Sequence, residues 1–97
     1  MSHRVRFTPD AEADFIRLYE FILERDGADR ALAAITNAIK SLALSPFSYR
    51  KVTSGNPFLR ESIIPFGAAG YVALFEIDDD ITVTILAVRH QREDDYH

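Results

Sequence analysis

Two strand-like runs joined by three aspartates, in the second half of the chain, constrain the fold more than any other feature. The runs Tyr71 to Ile77 and Ile81 to Arg89 are rich in β-branched and aromatic residues. The residues between them, Asp78 to Asp80, form a short polar connection, which favours antiparallel pairing of the runs that it joins. We therefore predict a β-hairpin, and with it an antiparallel sheet.

Two further strands are expected outside the hairpin. Phe58 to Phe66 is one of them, and Pro65 places its end at a sheet edge or bulge, because proline has no N–H to donate. At the N-terminus, His3 to Thr8 alternates polar and apolar residues, which indicates a short, half-buried strand. The residues from Phe47 to Pro57 are polar or turn-forming, so a loop is predicted there. This loop carries Tyr49, Arg50 and Lys51.

A first helix is predicted to begin after Thr8, since Thr8-Pro9 combines an N-cap residue with a proline at the first helical position. Its apolar stripe consists of Ala11, Phe15, Leu18, Tyr19 and Ile22. Its opposite, solvated face is expected to consist of Asp10, Asp14, Arg17, Glu20 and Glu24. Phe21 falls on this polar face, which suggests that something other than the core covers it.

A second helix is predicted after the break at Asp26-Gly27, running to about Leu44 before Ser45-Pro46 stops it. Its stripe is Leu32, Ile35, Ile39 and Leu42. The short connection makes the two helices antiparallel neighbours. The order β-α-α-β-β-β then predicts an α+β fold, in which a small antiparallel sheet packs against a helical hairpin.

Composition narrows the function classes. A chain of 97 residues fits one domain, so we expect a single domain over residues 1–97. It contains no cysteine and no apolar run of the roughly 20 residues that cross a bilayer, so we expect a cytoplasmic protein. The formal net charge of -4 disfavours broad nucleic-acid binding.

The hairpin and the polar tail that follows it resemble the C-terminal half of ParE/RelE-type toxins of bacterial toxin–antitoxin modules. The most specific element is the His-x-Arg at His90 and Arg92, at the end of the last strand. The helix that opens at Thr8-Pro9 and the second helix that ends in Ser-Pro are also similar to that family. The resemblance implies a RelE/ParE-like fold and a type II toxin, of the kind used in plasmid stabilisation. It further implies that a ribbon–helix–helix, ParD-like antitoxin silences the toxin.

The resemblance leaves two target classes, because ParE-like members poison DNA gyrase whereas RelE-like members cut messenger RNA on the ribosome. The nuclease alternative would use Arg60, Arg89 and Tyr96 as its active groups. The lysines of such enzymes are represented at best by Arg50 and Lys51, and Asp94 and Asp95 would repel a phosphate. An acidic protein with one confined basic patch suits a protein target better. We therefore expect a gyrase inhibitor that acts by binding rather than as an enzyme, without direct sequence-specific DNA contact, cofactor or metal ion.

Two sets of binding residues follow from the resemblance. Target contacts are expected from Arg60, Arg89, His90 and Arg92. Antitoxin contacts are expected from Asp14, Arg17, Phe21 and Glu24, where Phe21 would serve as an apolar anchor on an acidic helix. Without the resemblance, other interpretations stay open. Arg60 would be a solvated residue or an ion-pair partner of Glu61 or Glu76, Arg89 and Arg92 would pair with the acidic tail, and Tyr96 would be frayed.

Overall fold

The computed structural model describes residues 3–53, 55–66 and 69–90. Over these residues the elements follow one another as β1 (Arg4–Phe7), α1 (Pro9–Asp26), α2 (Ala28–Leu44), a 3-10 turn (Pro46–Ser48), β2 (Arg50–Thr53), β3 (Asn56–Phe66), β4 (Ala69–Ile77) and β5 (Thr82–His90). The predicted α+β fold is confirmed: a sheet packs on one face against a pair of helices.

The described strands form one sheet in the order β1-β5-β4-β3-β2. The predicted hairpin is confirmed, because β4 and β5 pair antiparallel from Tyr71 opposite His90 to Ile77 opposite Val83. Its turn closes where the N–H of Asp78 donates to the carbonyl of Thr82 at 2.9 Å.

The sheet differs from expectation at both of its edges. Arg50–Thr53 is a strand where a loop was predicted, and it pairs antiparallel with β3, with Arg50 opposite Glu61. Its four mostly polar residues have no hydrophobic alternation, which is typical of a short, charged edge strand. At the other edge, β1 lies parallel to β5, with Arg4 opposite Thr82. The alternation of polar and apolar residues in β1 indicates which side of the strand faces the core. It does not indicate whether the strand runs parallel or antiparallel to its neighbour.

Local signals place the start of α1 correctly. The Thr8 hydroxyl accepts from the N–H of Ala11 at 3.1 Å, which satisfies one of the unpaired donors of the first turn. The same hydroxyl donates to the carbonyl of Leu86, and the N–H of Thr8 donates to the carbonyl of Ile85 at 3.0 Å. The N-cap therefore also fastens α1 to β5.

Gly27 separates the two helices with a φ of +90°, a conformation that side chains rarely adopt. After this turn, α2 runs back along α1. No helix in the described part of the chain has the length and hydropathy needed to cross a membrane.

The core lies between the helices and the sheet. Its buried side chains include Ala11, Phe15, Leu18, Ile22, Leu42, Phe75, Val83 and Ile85. The α1 stripe is therefore confirmed. In α2, burial increases toward the C-terminal end: Leu42 is buried and Ile35 half-buried, but Leu32 is 61% exposed. The assignment of Leu32 to the core was wrong, because most of its side chain lies outside the packing between the helices and the sheet.

Candidate partner-binding site

A buried carboxylate joins α1 to the end of β5. β1 pairs with β5 as far as Ile85, and Val88 lies beyond that point. There the N–H of Val88 donates to Oδ2 of Asp14 at 2.8 Å, so the side chain receives a strand donor that β1 does not reach. The other oxygen, Oδ1, accepts a charge-assisted hydrogen bond from Arg17.

Asp14 was expected on the solvated face of α1, and this was wrong, because the residue is only 3% exposed. It lies three residues after Ala11 and four before Leu18, both of which are buried. A carboxylate at such a position is tolerated only when its oxygens are hydrogen-bonded. The pattern of residues in α1 does not indicate that Val88 is a hydrogen-bond partner of Asp14, because Val88 is 74 residues away in sequence.

A cavity of about 270 Å³ opens beside this carboxylate, between α1 and the ends of β4 and β5. We call it the α1–β5 pocket. It is lined by Asp14, Arg17, Leu18, Phe21, Tyr71, Val88 and Arg89. The rings of Phe21 and Tyr71 meet edge to face with 6.0 Å between their centroids, which gives the pocket an aromatic wall.

Three of the described residues that line the α1–β5 pocket are charged. They are two arginines, Arg17 and Arg89, and one aspartate, Asp14. That carboxylate already accepts hydrogen bonds at both of its oxygens. Arg17 is largely exposed and Arg89 half-buried. The described lining of the pocket is therefore both charged and aromatic.

Residues that were assigned to two different binding sites in the sequence line the same pocket in the structure. Arg17 and Phe21 were expected to bind an antitoxin, and Arg89 to contact a target, yet all three line the α1–β5 pocket. Glu24 is exposed on α1, three residues beyond Phe21, and is not among the lining residues. Of the remaining expected residues, the side chain of His90 and all of Arg92 and Tyr96 lie outside the described part of the structure.

Arg60 lies apart from this pocket and is 8% exposed. Its Nε donates to the carbonyl of Pro57 at 2.8 Å, and its Nη1 donates to the carbonyls of Phe47 and Tyr49 at 2.7 and 2.9 Å. The guanidinium also stands 5.3 Å from the centroid of the Phe47 ring. The interpretation of Arg60 as a solvated or ion-paired strand residue was therefore wrong. Its hydrogen bonds fasten the 3-10 turn and the start of β2 to β3.

A larger apolar groove on the other side of α1 was missed by the sequence reasoning. Its volume is about 560 Å³, and Phe7, Glu12, Phe15, Ile16, Tyr19, Glu20, Ile35 and Ile39 line it. We call it the α1–α2 groove. Ile16 is 54% exposed there, beside two glutamates. The one sequence feature that points to this groove is Ile16, an apolar residue that lies outside the α1 stripe.

The element order and the sheet topology define a class: small α+β proteins with the RelE/ParE fold. Among solved structures, a chain described as "Chromosomal ParDE TA system from P. aeruginosa" has the same fold, with a TM-score of 0.61. The match covers 92% of this chain and 96% of that chain, at 21% sequence identity.

A family model described as the ParE toxin of the type II toxin–antitoxin system, parDE, matches residues 5–95. The chain therefore belongs to the ParE toxin family, and the resemblance seen in its sequence is confirmed. No match was found among curated proteins. As a member of a toxin–antitoxin family, the protein has an antitoxin as its partner.

Proposed function

We propose that this toxin acts by binding DNA gyrase and blocking its reaction cycle, and that a ribbon–helix–helix, ParD-like antitoxin neutralises it in the cytoplasm. The observation that carries the proposal is the contrast between its arginines. Arg60, which a nuclease would need for phosphate, is buried and bonded to three main-chain carbonyls. Arg17 and Arg89 lie instead in an aromatic-walled pocket that suits a protein partner.

The geometry of Arg60 disfavours the messenger-RNA nuclease. Holding a scissile phosphate requires guanidinium donors that point to the substrate and strengthen their bonds in the transition state. The donors of Arg60 point to the backbone of the same chain, and the side chain is shielded by Phe47. Arg60 is then a support for the surface around it, and a binding mechanism needs no catalytic role for it.

The antitoxin is proposed to lie along α1. Three of the four residues expected to contact it are exposed on this helix: Arg17, Phe21 and Glu24. The fourth, Asp14, is buried and holds the helix against β5 through its hydrogen bond with Val88. The α1–α2 groove extends the same surface, with Glu12 and Glu20 beside its apolar walls. An amphipathic segment with apolar anchors and basic residues is complementary to this groove.

The target is proposed to contact the end of β5, through Arg89, His90 and Arg92. Arg89 is the member of this set whose side chain is described, and it lies next to the last residue of β5, beside α1. Positive groups at one end of an otherwise acidic protein would steer it to a negatively charged protein surface.

Gyrase inhibition can be tested with purified protein and with induced cells. The chain expressed without its antitoxin should stop growth and produce filaments, and the purified protein should stabilise cleaved DNA complexes of gyrase. Arg89→Gln should weaken both effects, whereas Lys40→Gln, an exposed change on α2, should leave them unchanged. Normal supercoiling at saturating protein would contradict the gyrase target, and codon-dependent cuts in translated messages would support the nuclease instead.

A further inference from the structure

We infer that the antitoxin makes a second contact at the hairpin turn, where one of its basic side chains packs on Phe47 and Phe58 and pairs with the aspartates of the turn. We call this region the turn surface. It surrounds a cavity of about 250 Å³ and is lined by Phe47, Phe58, Ile77, Asp78, Asp79 and Asp80. The inference rests on the proposed function only for the antitoxin that lies along α1, and it does not depend on gyrase.

The apolar part of the turn surface is an exposed aromatic pair. Phe47 is 53% exposed and Phe58 is 48% exposed, and their rings meet edge to face with 6.5 Å between the centroids. Ile77, a buried core residue, lines the same cavity. Neighbouring exposed aromatic residues with a charged rim are typical of surfaces that bind another protein.

Three carboxylates form the charged part of the turn surface. Asp78 to Asp80 are exposed, and they are the charged members of its described lining. Asp78 accepts a hydrogen bond from the hydroxyl of Thr84, and Asp79 accepts one from the N–H of Ile81 at 2.9 Å. Both donors are neutral, so they orient the carboxylates without cancelling the negative charge. The turn surface therefore attracts a cation.

A protein side chain fits the turn surface better than a metal ion or a second copy of the chain. Within the described residues, no group of three or more acidic or histidine side chains is placed to hold a metal ion. Two copies related by a two-fold axis would bring like-charged turns together, which is unfavourable. An arginine or lysine matches both parts, because its aliphatic stem can pack on the rings while its charged end pairs with a carboxylate.

The signs of the charges assign this basic side chain to the antitoxin. The target is proposed to bring a negatively charged surface to the opposite end of β5. The α1–α2 groove, which is proposed for the antitoxin, is lined by Glu12 and Glu20 and requires basic residues, as the turn surface does. One partner with basic and apolar residues is therefore complementary to both surfaces.

One segment of the antitoxin can reach both surfaces. Phe7 lines the α1–α2 groove and pairs with Ile85, whereas Arg4 pairs with Thr82, close to the turn. Three residue steps along β1, about 10 Å, separate these two positions. β5 and β4 lie between β1 and β3, which carries Phe58, and strands are spaced about 5 Å apart. The path is therefore at most about 25 Å, which about eight extended residues span.

The first test measures the affinity of the full-length toxin for its cognate antitoxin by calorimetry. Asp80→Lys should weaken binding about tenfold or more, because it reverses a charge that faces a basic partner. Asp29→Lys is the matched control, because Asp29 is exposed on α2, lines none of the three surfaces and gives the same change in net charge. Its affinity should stay within about threefold of the parent protein. Equal losses in the two variants would show a general charge effect and contradict the inference.

The second test concerns the aromatic pair. Phe58→Ala should weaken antitoxin binding about fivefold or more, because it removes one of the two rings. Leu32→Ala is the control, since Leu32 is exposed on α2 and lines none of the three surfaces, and its affinity should stay within about twofold. Thermal unfolding of every variant checks that the fold is retained, and toxicity without antitoxin should equal that of the parent protein.

A charge exchange identifies the basic residue of the antitoxin. Each lysine and arginine of the antitoxin is changed to glutamate and paired with the Asp80→Lys toxin. One of these pairs should bind more tightly than the two single variants together predict, which would place that residue on the turn surface. If every pair shows only additive losses, the inference is wrong.

The outcomes separate the inference from the proposed function. If Asp80→Lys and Phe58→Ala lose toxicity but bind the antitoxin as tightly as the parent protein, the turn surface serves the target and the inference is wrong, while the gyrase proposal stands. If they lose antitoxin affinity but the parent protein leaves supercoiling unaffected, the inference stands and the gyrase proposal fails. A dimer of the parent protein in sedimentation that Phe58→Ala abolishes, with antitoxin affinity unchanged, would assign the surface to a second copy and overturn the inference.

Discussion

A carboxylate removed from water is costly unless hydrogen bonds replace its hydration, and Asp14 meets this condition with one main-chain and one guanidinium donor. The bond to Val88 continues the hydrogen-bonding edge of β5 where β1 has ended. A residue of the predicted antitoxin surface is therefore part of the support for Arg89, one position further along the strand.

Replacing Asp14 should cost stability. We expect Asp14→Ala to lower the free energy of unfolding by about 1–3 kcal/mol, because the N–H of Val88 loses its acceptor. Asp14→Asn, which keeps a carbonyl oxygen, should cost less. Denaturant unfolding measures both, with Glu20→Ala on the exposed side of α1 as the control, expected within about 0.5 kcal/mol of the parent protein. An Asp14→Ala protein as stable as the control would contradict this account.

Replacing Arg60 is expected to lower the stability of the fold, and to affect toxicity only through that loss of stability. Removing its guanidinium in Arg60→Met leaves three carbonyls without this donor, so the free energy of unfolding should fall by about 2–4 kcal/mol. Arg60→Lys should not restore it, because an ammonium lacks the planar fork that reaches several carbonyls.

The matched control for Arg60 is Arg50→Met. Arg50 pairs with Glu61 at 2.8 Å but its own side chain is mostly exposed, so the loss should be about 0–1 kcal/mol. Loss of toxicity in Arg60→Met without loss of stability would return Arg60 to the target-binding set.

At the scale of elements, the hairpin turn between β4 and β5 contains a carboxylate, Asp79, whose pKa links the stability to pH. The pKa of Asp79 is lowered from 3.8, first by the hydrogen bond from the N–H of Ile81 and then by further bonds from Thr82 and by the charge of His3. A lowered pKa in the folded state means that ionised Asp79 stabilises the fold at pH values above its unfolded pKa. This contribution is lost as the pH falls through the folded pKa.

Asp79→Asn should therefore unfold at a lower temperature than the parent protein at pH 7, and the difference should shrink as the pH falls below 3.8. Asp80→Asn, at the neighbouring exposed position of the turn, is the control. Scanning calorimetry from pH 7 to pH 3 gives the comparison. A difference that grows on acidification would contradict the assignment.

Elements whose signals are local were predicted from the sequence, and elements that depend on distant partners were not. The Thr8 cap, the Gly27 break and the hairpin turn each depend on a few consecutive residues, and all three stand as expected. β2 has four mostly polar residues and is recognisable only by its pairing with β3. The direction of β1 likewise depends on a strand at the other end of the chain.

The same distinction applies to the candidate site. Arg17, Phe21 and Arg89 were each singled out in the sequence, as members of two different surfaces. Their meeting in one pocket depends on the docking of α1 on β5, through contacts such as Thr8 to Leu86 that span 78 residues. The pattern of residues within one helix or strand does not predict contacts between distant parts of the chain. The sequence therefore indicated these three residues, but not that they line the same pocket.

At the scale of the whole molecule, a net charge of -4 is unevenly distributed around α1: two glutamates line the α1–α2 groove, whereas the described lining of the α1–β5 pocket has two arginines and one aspartate. An antitoxin can use both sides, whereas the proposed target contacts belong to the end of β5. The α1–α2 groove contains none of the residues expected to contact the target. Toxicity and neutralisation should then be separable by a change in this groove.

Ile16→Ser is the variant that should separate them. Ile16 is 54% exposed in the α1–α2 groove, so a polar residue there should leave the fold intact while it removes an apolar anchor for the antitoxin. The affinity for antitoxin should fall about tenfold, and co-expressed antitoxin should no longer restore growth fully. Leu44→Ser is the matched control, because Leu44 is 65% exposed at the end of α2 and lines neither α1 surface. Toxicity without antitoxin should equal that of the parent protein in both variants, and full rescue of Ile16→Ser by the antitoxin would remove the groove from the interface.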